Sequence, residues 1–412
     1  MASQDIIETE FLIHGGGMIG LTLGVALAGA GVETVVLEKA DPAALVTAEH
    51  DGRVSAITHG SRQMLGAIGL WDDLAPHGEP ILDIRVTDGD SPLFLHFDHR
   101  AVGDEPFGHI IENLHIRRAL NAAAAKLDRL CLLAPCGLRS LMRSAAGVEA
   151  ELDDGRLVRA RLAVAADGRN SSLRRDAGIP VTTWRYDQCG IVCTVAHERP
   201  HGGVAQERFL PAGPFAILPM TNDALAGHRS SLVWTERADL APSIMALDDA
   251  GFMAEMALRF GDYLGRLEVV GGRWSFPLGL SHATRYSDTR LVLVGDAAHA
   301  IHPISGQGLN LGLRDVAALA EVAVDARRLG LDIGAKDVID RYERWRRFDT
   351  TLLLAVTDSL NRLFSNDIAP IKLARDLGLA AVNRAPPLKN FFMRHAMGAI
   401  GDLPRLARGE PL

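Results

Sequence analysis

The chain has 412 residues, 48% of them hydrophobic and 23% charged, with a formal net charge of −8. At about 100–200 residues per domain, this length suggests two domains or three. The composition excludes a disordered chain, a coiled coil and a collagen-like fibre, and the acidic balance argues against a general nucleic-acid binder, which must neutralise a row of phosphates.

Residues 10–13 read as a strand running into Gly15-x-Gly17-x-x-Gly20. A small-residue helical pattern follows over 21–31, then a second strand over 33–38. Strand, glycine turn, helix and strand make a βαβ unit, so a doubly wound α/β domain opens the chain. Alternation over 83–97 predicts antiparallel strands. Apolar positions Ile116, Leu120, Ala123 and Leu127 predict a helix over 114–130. A strand run over 157–165 ends in Ala166-Asp167-Gly168, and 186–237 reads as three or four half-buried strands. The continuous apolar run 291–294 predicts a fully buried parallel strand stopped by Gly295-Asp296. Beyond Gly306 the pattern is helical to the end, broken by Pro370 and by Pro386-Pro387.

The expected fold class is α/β. A discontinuous Rossmann-like nucleotide domain covers 1–80, 105–182 and 285–345. An antiparallel sheet for substrate is inserted over 81–104 and 183–284, and a helical region occupies 346–412. The acidic start MASQDIIETEF shows no basic-then-apolar export signal, and no run approaches the ~18 apolar residues of a membrane span, so a cytoplasmic location is expected. Cys131, Cys136, Cys189 and Cys193 lack the C-x2-C spacing of zinc sites; buried free thiols and no metal site are expected.

Three motifs carry chemistry. In Gly15-x-Gly17-x-x-Gly20 the first glycine allows the tight turn, the second lets backbone approach a pyrophosphate, and the third lets helix pack on strand. The helix opened by Met18, Ile19 and Gly20 offers free N–H groups to phosphate. Glu38, followed by Lys39 at the end of the second strand, is placed to accept hydrogen bonds from ribose hydroxyls. This motif alone does not separate FAD from NAD. The second motif, Asp167-Gly168 after a buried run, reads in isolation as a strand ending in a turn. The third, Gly295-Asp296, puts an acid at the carboxyl end of a buried strand, where open α/β sheets bind ligands. Its continuation through Gly306-Gln307-Gly308-Leu309-Asn310 lets main chain and a helix start come close to a flat ligand.

Together these motifs resemble those of the group A FAD-dependent aromatic monooxygenases. DGRVSAI at 51–57, LGAIGLW at 65–71, Tyr186-x-Gln188, ERFL at 207–210, GPFAILP at 213–219 and His302-Pro303 with GQGLNLGLRD at 306–315 narrow the resemblance to the ubiquinone-biosynthesis flavin hydroxylase branch. The resemblance implies bound FAD, O2 as co-substrate and NAD(P)H or a protein as electron donor. It implies ring hydroxylation of a polyprenylated phenol through a flavin C4a-hydroperoxide. It further implies that Glu38 holds the adenosine ribose, that Arg53 and Arg117 lie near the FAD, and that Asp167 and Gly168 sit by the pyrophosphate. Asp296 would bind a ribityl hydroxyl, Gly308 to Asn310 would face the flavin pyrimidine edge, and Pro303 would flank the ring. His14 departs from the small apolar residue usual in that branch.

No strong protein acid or base is expected; for Tyr186, His299 and His302, packing or structural hydrogen bonding is the reading preferred over phenol deprotonation. In the tail 366–412, Lys372, Arg375, Arg384, Lys389, Arg394, Arg405 and Arg408 outnumber Asp367, Asp376, Asp402 and Glu410, with Phe391, Phe392, Met393 and Met397 as an apolar component. Such a tail either lies on a membrane surface or packs on the flavin domain. Two other functions remain on the sequence: a reductase or halogenase on the same scaffold, and a non-catalytic flavin-binding accessory subunit of a biosynthetic complex, with other ubiquinone-biosynthesis proteins as partners. No W-x-W-x-I-P segment of a halogenase occurs, and the glycine loops are intact.

Overall fold

The computed structural model describes residues 6–47, 52–89, 91–224, 226–365, 375, 378, 381–398 and 401–412. Its core is a six-stranded sheet in the order Ser287–Asp288, Leu291–Leu293, Leu162–Ala165, Phe11–His14, Thr34–Leu37, Leu130–Leu133. All neighbours are parallel except the Ser287–Asp288 edge. Strands such as LAVA and TVVL are buried at every position, as a sheet covered on both faces requires. The helix Met18–Gly29 is apolar on all sides and buried from Gly20 to Ala28, so it serves as core rather than as surface. Gly24 permits this closeness: a Cβ there would lie 2.9 Å from Leu130 and 3.0 Å from Val36.

A second, eight-stranded sheet runs His299–Ala300, Leu267–Ala283, Val181–His197, Gly227–Arg237, Gly213–Asp223, Val204–Leu210, Asp83–Asp88, Phe94–Asp98. It is antiparallel apart from the pairing of Val204–Leu210 with Asp83–Asp88. Its outer face buries Ile191, Cys193, Phe215, Ile217, Leu232 and Trp234 against Phe252, Met256 and Phe260 of the helix Asp249–Phe260. Each such side chain removed from water is worth roughly 1.5–3 kcal/mol. Its inner face packs Ala205, Met220 and Leu218 against Ala56, Phe107 and Ile110. Smaller sheets join Val54–Thr58, Gly108–Glu112 and Glu79–Ile81, and, separately, Ile6–Glu8, Leu157–Ala160, Val148–Leu152 and Leu138–Arg143.

Several expectations are corrected. The helix predicted over 114–130 spans Asn113–Ala124. The N–H groups of Lys126 and Leu127 reach back only three residues, and the chain turns there to feed Leu130–Leu133. The run 157–165 is two strands in different sheets, parted at Arg161, whose N–H bonds to the Glu10 carbonyl. Pro386-Pro387 opens the helix Pro386–Ala396 instead of breaking one, as proline can at a first turn; Pro370 lies outside the described residues. The boundary at 345 falls inside the unbroken 29-residue helix Lys336–Phe364, which contains no glycine or proline. All four cysteines are free, but Cys131 is exposed on an edge strand and Cys189 is only half-buried.

In the tail, Met393 and Met397 pack inside with Phe107, Ala205 and Met220. Arg375, Arg405 and Arg408 pair with Asp88, Asp325 and Glu410. Lys372, Asp367 and Asp376 lie outside the described residues, as does the Phe391 side chain. None of the described helices is long and apolar enough to cross a membrane.

Candidate active site

The three motifs converge because their strands are neighbours. Phe11–His14, Leu162–Ala165 and Leu291–Leu293 run parallel side by side, so the turns that follow them lie together at the carboxyl edge. The glycines are demanded by contact. Gly15 has φ +111°, and a Cβ there would sit 2.4 Å from the Ala166 carbonyl oxygen; a Cβ on Gly20 would sit 1.8 Å from the Gly15 oxygen. Gly17 is different: it faces open space, with nothing within 4 Å. It is also the N-cap of Met18–Gly29, with no side chain capping the first turn and no acid in it. The N–H groups of Met18, Ile19 and Gly20 therefore start a helix that offers about half a positive charge to an anion.

Glu38 accepts hydrogen bonds from Gly16 N–H and Ala40 N–H, both at 2.8 Å. A carboxylate has further acceptor sites, so these two bonds aim it at the turn and leave room for ribose hydroxyls. Lys39, beside it, is exposed. Asp167 accepts from the Ser172 N–H at 2.7 Å and hydroxyl at 3.0 Å, while its Oδ1 has no partner among the described residues. Gly168, with φ +80°, faces open space. His14 approaches Asp167 at 3.7 Å, and burial lowers its pKa despite the carboxylates of Asp167 and Glu38 nearby.

The Gly295-Asp296 turn is held from behind. Asp315, fully buried, accepts from Gly295 N–H at 3.0 Å and Arg346 Nε at 2.8 Å and meets His299 Nε2 at 2.6 Å. Burial alone would raise the Asp315 carboxyl, but His299 and Arg346 outweigh it and hold it below its usual value. Tyr342 donates to the Leu293 carbonyl at 2.8 Å, and Arg174 spans to the Ala297 carbonyl at 2.7 Å. Asp296 itself forms no protein hydrogen bond among the described residues. It is solvent-accessible yet deeply set, and burial raises its pKa against the pull of Arg169. An accessible acceptor inside a cleft is what a ligand hydroxyl requires.

The helix Gly308–Arg328 begins beside it, with Gln307 as N-cap and no side chain capping the first turn. Gly308 faces open space, and Leu309 follows in that first turn. A Cβ on Gly312 would lie 2.6 Å from Ile19, which locks this helix to the first. Gly306 takes φ +60° to close the turn after Pro303–Ser305. Asn310 is buried and its amide is fully engaged: it accepts from Thr58 N–H at 3.0 Å and donates to the Ala56 and Gly306 carbonyls at 2.7 and 3.2 Å. Its side chain ties Val54–Thr58 to the loop, so only its main chain is left for a ligand.

Pro303 is exposed at the loop, and His302 is buried behind it, its Nδ1 accepting from Ile304 N–H at 3.1 Å. Burial takes the His302 pKa to about 4, so the ring is neutral; its edge meets Tyr186 at 5.1 Å. Tyr186 donates to Asp358 at 2.7 Å, and burial first, then that bond, raises its pKa. Arg53 is exposed 5.5 Å over the Phe276 ring, and its carbonyl accepts from Asn113 N–H, at the start of the helix that carries Arg117.

An uncapped helix start with an open glycine, an unpaired accessible acid and a second uncapped helix fit the pyrophosphate, ribityl chain and ring of FAD. A family model described as an FAD binding domain matches residues 8–347. The ubiquinone hydroxylase UbiL of Rhodospirillum rubrum is 54% identical over 98% of this chain and 93% of its own. The 3-demethoxyubiquinol 3-hydroxylase of Escherichia coli is 35% identical over 95% and 98%. The chain belongs to the ubiquinone hydroxylase family of flavin monooxygenases.

Among solved structures, p-nitrophenol 4-monooxygenase PnpA from Pseudomonas putida superposes with a TM-score of 0.77 at 22% identity, over 95% of this chain and 97% of that one, which speaks to the fold. For a flavin monooxygenase of this family, sequence reasoning named the turns that would touch a cofactor. It gave no role to Arg174, Asp315, Arg346 or Tyr342, which hold those turns. Asp315 stands in the GQGLNLGLRD run, but its partners are distant in sequence and only the fold unites them.

Proposed function

We propose that this protein is an FAD-dependent monooxygenase that hydroxylates the aromatic ring of a polyprenylated phenol in ubiquinone biosynthesis, consuming O2 and electrons from NAD(P)H or a protein donor. The observation that carries this reading is the meeting of three glycine-bearing turns and two uncapped helix starts at one sheet edge. When bound, FAD supplies the redox chemistry that activates O2 for transfer of one oxygen atom. The chain's residues bind, orient and exclude water.

In this proposal the N–H groups of Met18, Ile19 and Gly20, with Asp167 and Gly168 alongside, hold the pyrophosphate. Glu38 takes the adenosine ribose and Asp296 a ribityl hydroxyl. The start of Gly308–Arg328 places positive charge at the flavin pyrimidine edge. Arg53 and Arg117 flank the cofactor, and Pro303 with His302 shapes the loop beside the ring. Segments 1–80, 105–182 and 285–345 serve the cofactor; 81–104 and 183–284 supply the substrate sheet. Because the substrate is mostly lipid, peripheral contact of 366–412 with the inner membrane face belongs to the same proposal. A full-length chain that floats free of anionic liposomes contradicts that last part.

Labelled dioxygen tests the chemistry. Product carrying one oxygen atom from 18O2 is expected. Oxidation of NAD(P)H with no label in the product would instead mark a reductase.

A further inference from the structure

The inner face of the eight-stranded sheet carries one acid that the cofactor site does not use. On Val204–Leu210, Ala205, Glu207 and Phe209 share a face, since Arg208 turns to the opposite side and donates to the Gly89 and Arg259 carbonyls at 3.0 Å. Ala205 packs in the cluster that Ala56 joins, and Ala56 lies 3.3 Å from where a Gly306 Cβ would be. Phe209 packs in the cluster that contains Ile304. Glu207 thus stands between two clusters that grip the loop Pro303–Gly306 from either side. Its cross-strand neighbours are Val86 and Ala216, both apolar.

Glu207 forms no hydrogen bond or ion pair among the described residues, and it keeps partial solvent access although protein surrounds it. A deep carboxyl without a partner costs stability, and a ligand group that brings it a hydrogen-bonding partner relieves that cost. We propose, on the reading of the site as a ring hydroxylase, that Glu207 is a specificity-determining residue that hydrogen-bonds an oxygen substituent on the substrate's aromatic ring. Burial alone pushes its carboxyl up to about 8, so at pH 7 it is mostly neutral and has a proton to donate. The charged groups nearby leave it so. Asp88, two residues beyond Val86, is neutralised by Arg375 at 2.8 Å, and His302 in the facing loop stays uncharged above about pH 4.

The test uses full-length, FAD-loaded protein and 2-geranylanisole, an aryl ether whose ring oxygen only accepts a hydrogen bond. Equilibrium dialysis gives its Kd between pH 6.5 and 9.5. Wild type is expected to bind less tightly as pH rises through about 8, where ionisation removes the donor. Glu207→Gln, which keeps an N–H donor and cannot ionise, should bind within about threefold of wild type at pH 7 and show no such fall. Glu207→Leu should weaken binding by about tenfold at pH 7, corresponding to one strong hydrogen bond. Its melting temperature should match or exceed wild type, because a lone buried acid has gone. Equal binding by Glu207→Leu and wild type overturns the assignment. So does an equal loss in both variants with lowered melting temperatures, which marks a structural role. Absence of label from 18O2 in the product, with this binding pattern intact, would strike the hydroxylase reading and leave the ring-binding assignment standing.

Discussion

Gly17 and Gly20 separate cofactor recognition from folding within one turn. Gly17 has φ −69° and open space, so Gly17→Ala meets neither strain nor clash in the protein. The apo protein should melt as wild type does, while its affinity for FAD falls. Gly20→Ala drives a methyl against the Gly15 carbonyl at 1.8 Å and should lower the melting temperature with or without flavin. Differential scanning fluorimetry of both apo variants checks the pair. Asp296, accessible and unpaired, predicts that Asp296→Ala is purified without flavin; a variant with a full flavin spectrum would refute its role. Glu38→Ala should weaken FAD more modestly, by about 0.5–1.5 kcal/mol, or up to ~3 if the bond is to a charged group. Titration of apo protein with FAD measures this. At this scale the sequence was informative about main chain: glycine spacing announces where backbone must come close. It said less about side chains: nothing in it shows that the Asn310 amide is engaged by Thr58, Ala56 and Gly306, which leaves main chain alone for a ligand there.

The elements that position those turns include the long helix Lys336–Phe364, which delivers Tyr342 and Arg346 to the back of the Gly295-Asp296 turn. Arg346→Leu leaves Asp315 buried with only one of the two side-chain partners that hold it, His299, a change that costs on the order of 3–5 kcal/mol. The sign of the pH effect follows from Asp315, whose folded pKa is held below the unfolded value. Its stabilisation is present above the unfolded carboxylate pKa of about 3.9 and is lost as pH falls through the folded value. Arg346→Leu should therefore begin acid unfolding at higher pH than wild type, followed by intrinsic fluorescence. Uniform runs such as LVL and LAVA were legible as buried strands because a covered parallel sheet needs nothing polar. The strand Leu267–Ala283 was not: Gly271-Gly272 and Pro277 break its alternation, and its pairing with Val181–His197 is set by distant chain. The split at Arg161 was hidden for the converse reason, since one apolar run serves two sheets.

For the whole molecule, a parallel sheet with its carboxyl edge loaded with glycine turns stands against the inner face of an antiparallel sheet, and the contacts of Arg53, Ala56 and Ile304 bridge the two. A ring held between these sheets would meet the flavin loop on one side and Glu207 on the other. Fold class was open to sequence reading because the nucleotide fingerprint is local; FAD rather than NAD followed only from the resemblance carried by all the motifs together. The tail was not, because whether Met393 and Met397 face lipid or core depends on what they pack against, and both are buried. Hydroxylation by this chain requires FAD in this cleft. The visible spectrum of the purified, full-length chain measures it directly, with flavin released by denaturation and counted against protein. A yellow protein giving close to one FAD per chain is the predicted result; a colourless protein that takes up no flavin on reconstitution would contradict it.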